Sequence, residues 1–237
     1  MSDAAADDAE APRPAPPACT LLDWVAVFFA SIVTAVAGSA VGAAIGGRGS
    51  LTETAGGLIG LWSALVPSAI LLSRVRGTGS LRRDFGLLFE RRDWLGVPIG
   101  FASQVVLLPV IYGLLQLVTN RDFVEELREP AEELTNQAGT GGAFVFLAVL
   151  LIVGAPLAEE IFYRGMLFVA LRARTTVAIT VVVSGFVFAI AHLLPLLIPG
   201  LAAFGMVLAW VRARTGRLGM AVVAHATFNA ITVAALA

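Results

Sequence analysis

The 237-residue sequence contains no lysine, one cysteine (Cys19) and two histidines, and only 14% of its residues are charged. A single cysteine excludes an intrachain disulfide and any cysteine-rich metal centre. So little charge excludes a water-soluble surface on a chain of this length. With 58% hydrophobic residues and a mean hydropathy of +0.86, the solvent for most of the chain is lipid. The formal net charge of −1 leaves no electrostatic case for nucleic acid. All sixteen basic residues are arginine, a bias that points to a GC-rich genome and hence a bacterial source. There is no HExxH sequence, and the first residues lack the basic start and short apolar run of a cleaved signal peptide.

What is present is a series of hydrophobic runs. Residues 1–20, rich in Ala, Pro and Asp, read as a disordered tail. Residues 21–237 read as a single all-α membrane domain. Seven runs, near 24–46, 54–73, 94–118, 142–171, 175–193, 196–211 and 218–236, predict a polytopic bundle of about seven transmembrane helices. The fifth and sixth divide at "HLLPLLIPG", where Pro195, Pro199 and Gly200 predict a tight turn. Small residues in "AGSAVGAAIGG" allow close helix packing, although an alanine-rich helix with no close neighbour reads the same way. Arginines cluster in alternate loops: 74–92, 172–174 and 212–217. The other side holds Arg48, Arg121 and Arg128, the last two within an acidic segment read as an exposed, partly helical loop. The positive-inside rule then expects a cytoplasmic N-terminus and an external C-terminus, in a bacterial cytoplasmic membrane.

Within those runs the ionisable side chains are Glu159, Glu160, Arg164, His192 and His225. Each charge near a bilayer centre costs about 2.5–3.5 kcal/mol on insertion scales, so the group needs a reason. Glu160 and Arg164 stand four apart with the acid first, the favourable order for an ion pair along a helix. Glu159 is turned about 100° from Glu160 and is left free to act. Pro156, just upstream, predicts a kink and a freed carbonyl. Phe188 lies four before His192, and His225 four before Asn229, so each pair shares a helix face. Singly, each of these residues reads as helix-packing glue. Together they are a carboxylate base, two imidazoles and an amide donor on separate helices, which suits hydrolysis. Glu159, His192 and His225 are also a possible ligand set for catalytic Zn2+. The preferred reading has no cofactor, because a metal-bound Glu159 would leave only the neutralised Glu160 as base.

"EEIFYRG", "FAIAH" and "HATFN" resemble, in order, the three motifs of the CPBP family, the type II CAAX-prenyl endopeptidases and bacteriocin-processing proteins, also called the ABI family. The resemblance covers about residues 140–236; upstream it extends to hydropathy alone. It implies an intramembrane endopeptidase, often described as a metalloprotease, cutting a peptide bond near the cytoplasmic face in a membrane-associated protein or peptide. It also implies Glu159 as general base with His192, and His225 and Asn229 as the oxyanion-stabilising pair. Glu160 and Arg164 are implied as support, and Phe188 as a wall of the cavity. Two other functions fit the residues: a non-catalytic scaffold of the same fold that binds a partner such as a sensor kinase, and a proton-coupled transporter. The transporter reading lacks paired broken helices in matching halves.

Overall fold

The computed structural model describes residues 17–235, and all regular structure among the described residues is helical. The main helices are α1 Leu21–Gly46, α2 Leu51–Arg76, α3 Arg91–Thr119, α4 Val124–Ala138, α5 Gly142–Arg172, α6 Val177–Ile190, α7 Pro195–Thr215 and α8 Gly219–Ala234. Most of the expected tail, up to residue 16, lies outside the described residues. Its last part is packed: Ala18 and Cys19 are buried, and Thr20 caps α1 in a capping box with Asp23.

The chain is a helical membrane bundle, and its helices fall where the hydrophobic runs are. Five of them (α1, α2, α3, α5 and α7) are long and apolar enough to cross a bilayer. α6 and α8, with 14 and 16 residues, are not. At 1.5 Å per residue they reach about 21 and 24 Å, against a hydrocarbon core of about 30 Å. Hydropathy alone could not separate them, because the apolar run continues through the residues that end α6. Leu193 takes a left-handed φ of 57°, and a short 3-10 turn begins at Pro195. Large side chains facing away from the bundle, such as Phe29, Val33, Leu117 and Val118, are exposed and apolar, as a hydrocarbon solvent requires.

α1 and α2 pack antiparallel through two small-xxx-small faces, Gly38/Gly42 and Gly56/Gly60. A Cβ on Gly38 would lie 2.1 Å from the Gly56 carbonyl oxygen, and one on Gly42 would lie 2.0 Å from that of Thr52. The small residues therefore serve close approach of two backbones, not helix filling. α3 runs parallel to α8, with Gly96 and Gly100 against the backbone of Met220 and Ala224, and α6 crosses α7 at Gly185 and Gly205. These three pairs surround α5. Trp24 of α1 stacks on Phe162 with 4.9 Å between ring centroids, and the Trp62 ring of α2 covers Gly154, where a Cβ would meet it at 2.5 Å. The second half of α5 is thus buried, Ile161–Phe168 throughout, and the glutamates stand where that burial begins.

The segment between α2 and α3 folds under the arginine-rich end of the bundle. Asp84 closes it, accepting hydrogen bonds from Ser73 Oγ (2.5 Å), Thr78 N (3.0 Å) and Thr78 Oγ1 (2.9 Å). Burial alone would raise the Asp84 pKa; the bonds from Ser73 and Thr78 outweigh it and hold the carboxyl below its usual 3.8. The contribution to stability is therefore full above pH 3.8 and is lost as pH falls through the depressed folded value. In detergent, the Asp84→Asn variant is expected to lose less stability than the wild type over that acid window, as measured by thermal unfolding at stepped pH.

Candidate active site

α5 is not a regular α-helix. It widens into π-helix at Leu150–Gly154 and again at Ile161–Leu167, so Glu159 and Glu160 lie on a short α segment between two wide turns. In the first π turn the Ala155 N–H bonds to the Leu150 carbonyl, five residues back. The next bond in that register would join residue 156 to Leu151, but residue 156 is proline and has no N–H. Asn229 of α8 takes the vacated place, its Nδ2 donating to the Leu151 carbonyl at 2.8 Å. The freed carbonyl expected from Pro156 is thus present, and its partner is a site residue.

The Glu160 and Arg164 side chains are fully buried, with Arg164 Nη1 donating to Glu160 Oε1 at 2.9 Å. Arg164 Nη2 donates to the Gly205 carbonyl of α7 at 3.0 Å, and its guanidinium lies 4.4 Å from the Phe188 ring centroid. The pair expected from the i,i+4 spacing is there, with two further anchors. Its carboxylate is also shared: His225 Nδ1 lies 3.0 Å from the same Glu160 Oε1. Glu160, ionised beside Arg164, can only accept, so Nδ1 carries the hydrogen. His225 then presents Nε2 toward Glu159, 3.9 Å from Oε2. That nitrogen donates only when the ring is protonated, and accepts when it is neutral. The Glu159 side chain retains 18% of its exposure, whereas that of Glu160 retains none.

His192 sits two residues beyond α6, in the turn before Leu193. Its Nδ1 lies 2.7 Å from the Phe188 carbonyl, which leaves Nε2 as the free nitrogen. Phe188 links the two histidines: its centroid is 4.7 Å from that of His192 and 5.6 Å from that of His225. The structure therefore joins Glu159, Glu160, Arg164, His225 and Phe188 directly, and brings in His192 through Phe188 and Asn229 through the α5 backbone.

Two residues of the site were not singled out from the sequence. Phe204 of α7 packs edge-on against His225 at 5.6 Å and stacks on Phe228 at 4.0 Å. Arg212, counted as a loop arginine, is buried within α7; its Nε donates to the Arg164 carbonyl at 3.2 Å and its Nη2 to that of Phe85 at 3.3 Å. The signal for both was helical spacing, since Phe204, Leu208 and Arg212 recur every four residues along one buried face.

Among the described residues, no three His, Cys, Asp or Glu side chains come together as a metal-binding cluster. Glu159 and His225 supply two donors, but Glu160 is held by Arg164, and His192 does not complete a third.

Residues 141–231 match the family model described as type II CAAX prenyl endopeptidase Rce1-like. This region is similar to the Rce1-like endopeptidases. It takes in α5, α6, α7 and most of α8, and so every residue of the Glu159 cluster. No curated protein and no solved structure matches the chain. The match thus falls on the helices that carry the Glu159 cluster, and the similarity there is to membrane endopeptidases.

Proposed function

We propose that the Rce1-like region hydrolyses a peptide bond in a membrane-associated protein or peptide, with Glu159 as general base and without a metal. The supporting observation is the division of labour between adjacent glutamates. Glu160 is fully buried, neutralised by Arg164 and bonded to His225, while Glu159 is part-exposed and faces His225 Nε2 across 3.9 Å. That gap is too long for a hydrogen bond, but one water at about 2.8 Å from each atom spans it. As the water oxygen attacks the substrate carbonyl carbon, its proton passes to Glu159, and the same proton leaves with the amine when the C–N bond breaks. General-base help of this kind is worth about 10²–10⁴ in rate. Glu160 holds the His225 ring in place. His192 Nε2 assists at the water or at the leaving amine. Protonated His225 and the second amide hydrogen of Asn229 serve the tetrahedral oxyanion, each such donor being worth about 2.7–4 kcal/mol in other enzymes.

The test is a peptide-library cleavage assay on the purified protein in detergent, with and without a strong chelator. This reading expects sequence-selective cleavage that survives chelation. Loss on chelation with recovery on added Zn2+ would restore the metal alternative, and a protein that inserts correctly but never cleaves would be a scaffold.

A further inference from the structure

His192 lies just past the end of α6 and the His225/Asn229 pair lies on α8, the two short apolar helices. Both α6 and α8 start at the arginine-rich end, after Arg174 and Arg217, and run toward the other. At 1.5 Å per residue they end about 6–9 Å short of a 30 Å core. Their far ends leave a recess in the arginine-poor end of the bundle.

The two sides of the cluster differ sharply. On the arginine-rich side it is sealed: Arg164, Phe85, Phe204 and Leu218 are fully buried. Arg212 ties α7 to Phe85, and the Leu218 N–H closes on the Gly86 carbonyl at 2.7 Å. On the other side Glu159 and His192 are part-exposed, and Leu193 beside them is 83% exposed. A cavity of about 550 Å³ occupies this end, lined by Leu108, Tyr112, Leu127, Leu197 and Thr232 among others. Thr232 is three residues, or about one turn, beyond Asn229 on α8. Leu197 is in the 3-10 turn that follows His192, and Tyr112 holds that turn by donating to the Leu196 carbonyl at 3.2 Å. Gln104 Oε1 on the cavity wall is buried without a partner, an acceptor that a backbone N–H would satisfy. Phe123, just before α4, and Leu127 and Arg128 of α4 complete the lining.

We infer that substrate reaches Glu159 from the arginine-poor end, with an apolar segment of its chain in this cavity. By the positive-inside rule that end faces away from the cytoplasm. The substrate class is then a membrane-anchored protein or peptide whose scissile bond is presented from the extracytoplasmic side. This differs from the cytoplasmic-face cleavage that the family resemblance implies. The chemistry rests on the hydrolytic reading of Glu159, whereas the route rests on the geometry alone.

Two measurements test it. In a Cys19→Ser background, Thr232→Cys is probed with a membrane-impermeant maleimide in sealed vesicles, and Arg48→Cys and Arg174→Cys mark the two faces. Labelling of Thr232→Cys together with Arg48→Cys is the expected result. Labelling with Arg174→Cys, or from neither face, overturns the route. Because this readout needs no activity, it separates failure of the route from failure of the hydrolytic reading. The second measurement fills the cavity. Gly113 lines it, and a Cβ there meets nothing within 4 Å, so Gly113→Trp adds bulk at the cavity wall without crowding the backbone. Cleavage by Gly113→Trp should fall at least tenfold in kcat/KM, mainly through KM, while Gly142→Trp, equally open and outside the cavity, should stay within twofold. Equal cleavage by both variants would show that the segment does not sit there.

Discussion

Glu159→Gln is expected to lower peptide hydrolysis by about a thousandfold, within the range a general base supplies, while leaving membrane insertion and thermal stability close to wild type. The substitution keeps the side chain's shape and removes only its ability to take a proton. The charge is lightly engaged: His225 Nε2 is 3.9 Å away, and the Arg164 bond belongs to Glu160. A fully inserted, thermally normal Glu159→Gln protein that still cleaves at the wild-type rate would remove Glu159 from the mechanism. Initial rates on one cleaved peptide, together with a melting curve in the same detergent, decide the matter.

Arg164→Met is expected to act on folding instead, with a loss of about 3–5 kcal/mol, because it strands a carboxylate in the core. Glu160 is fully buried, and its Oε2 already lacks a partner, so Arg164 is the cation that makes its charge tolerable. The compensating double variant Glu160→Met/Arg164→Met replaces an ion pair by apolar side chains of similar bulk and should recover most of the stability. It should not recover activity, because His225 Nδ1 loses the acceptor that orients its ring. Thermal unfolding separates the single from the double variant, and the cleavage rate separates the double variant from the wild type. A double variant both stable and fully active would show that Glu160 does not position His225.

The parts of this arrangement legible from the sequence are those set by local spacing. The Glu160–Arg164 bond follows from the i,i+4 distance, and the break after His192 follows from the proline-rich turn. The Leu151 carbonyl needs a partner because residue 156 has no N–H, although only the packed α8 shows that the partner is Asn229. Relations between distant segments were hidden. Nothing in "VVAHATFNA" says that one ring nitrogen of His225 meets Glu160 while the other faces Glu159; that depends on α8 lying against the narrow α segment of α5. Arg212 was misplaced because loop position outweighed helical period, and its carbonyl partners come from Arg164 and Phe85, 48 and 127 residues away in sequence. The lengths of α6 and α8 were overestimated for a related reason: hydropathy measures apolarity, and the residues that end α6 are as apolar as those within it.

The most direct test of the central claim is hydrolysis in H2 18O by the purified protein, read by mass spectrometry of the peptide products. The account predicts that wild-type protein releases fragments with one 18O in each new C-terminal carboxyl, and that Glu159→Gln releases essentially none. Intact peptide after incubation with folded wild-type protein, or labelled fragments at the same rate from Glu159→Gln, would contradict it.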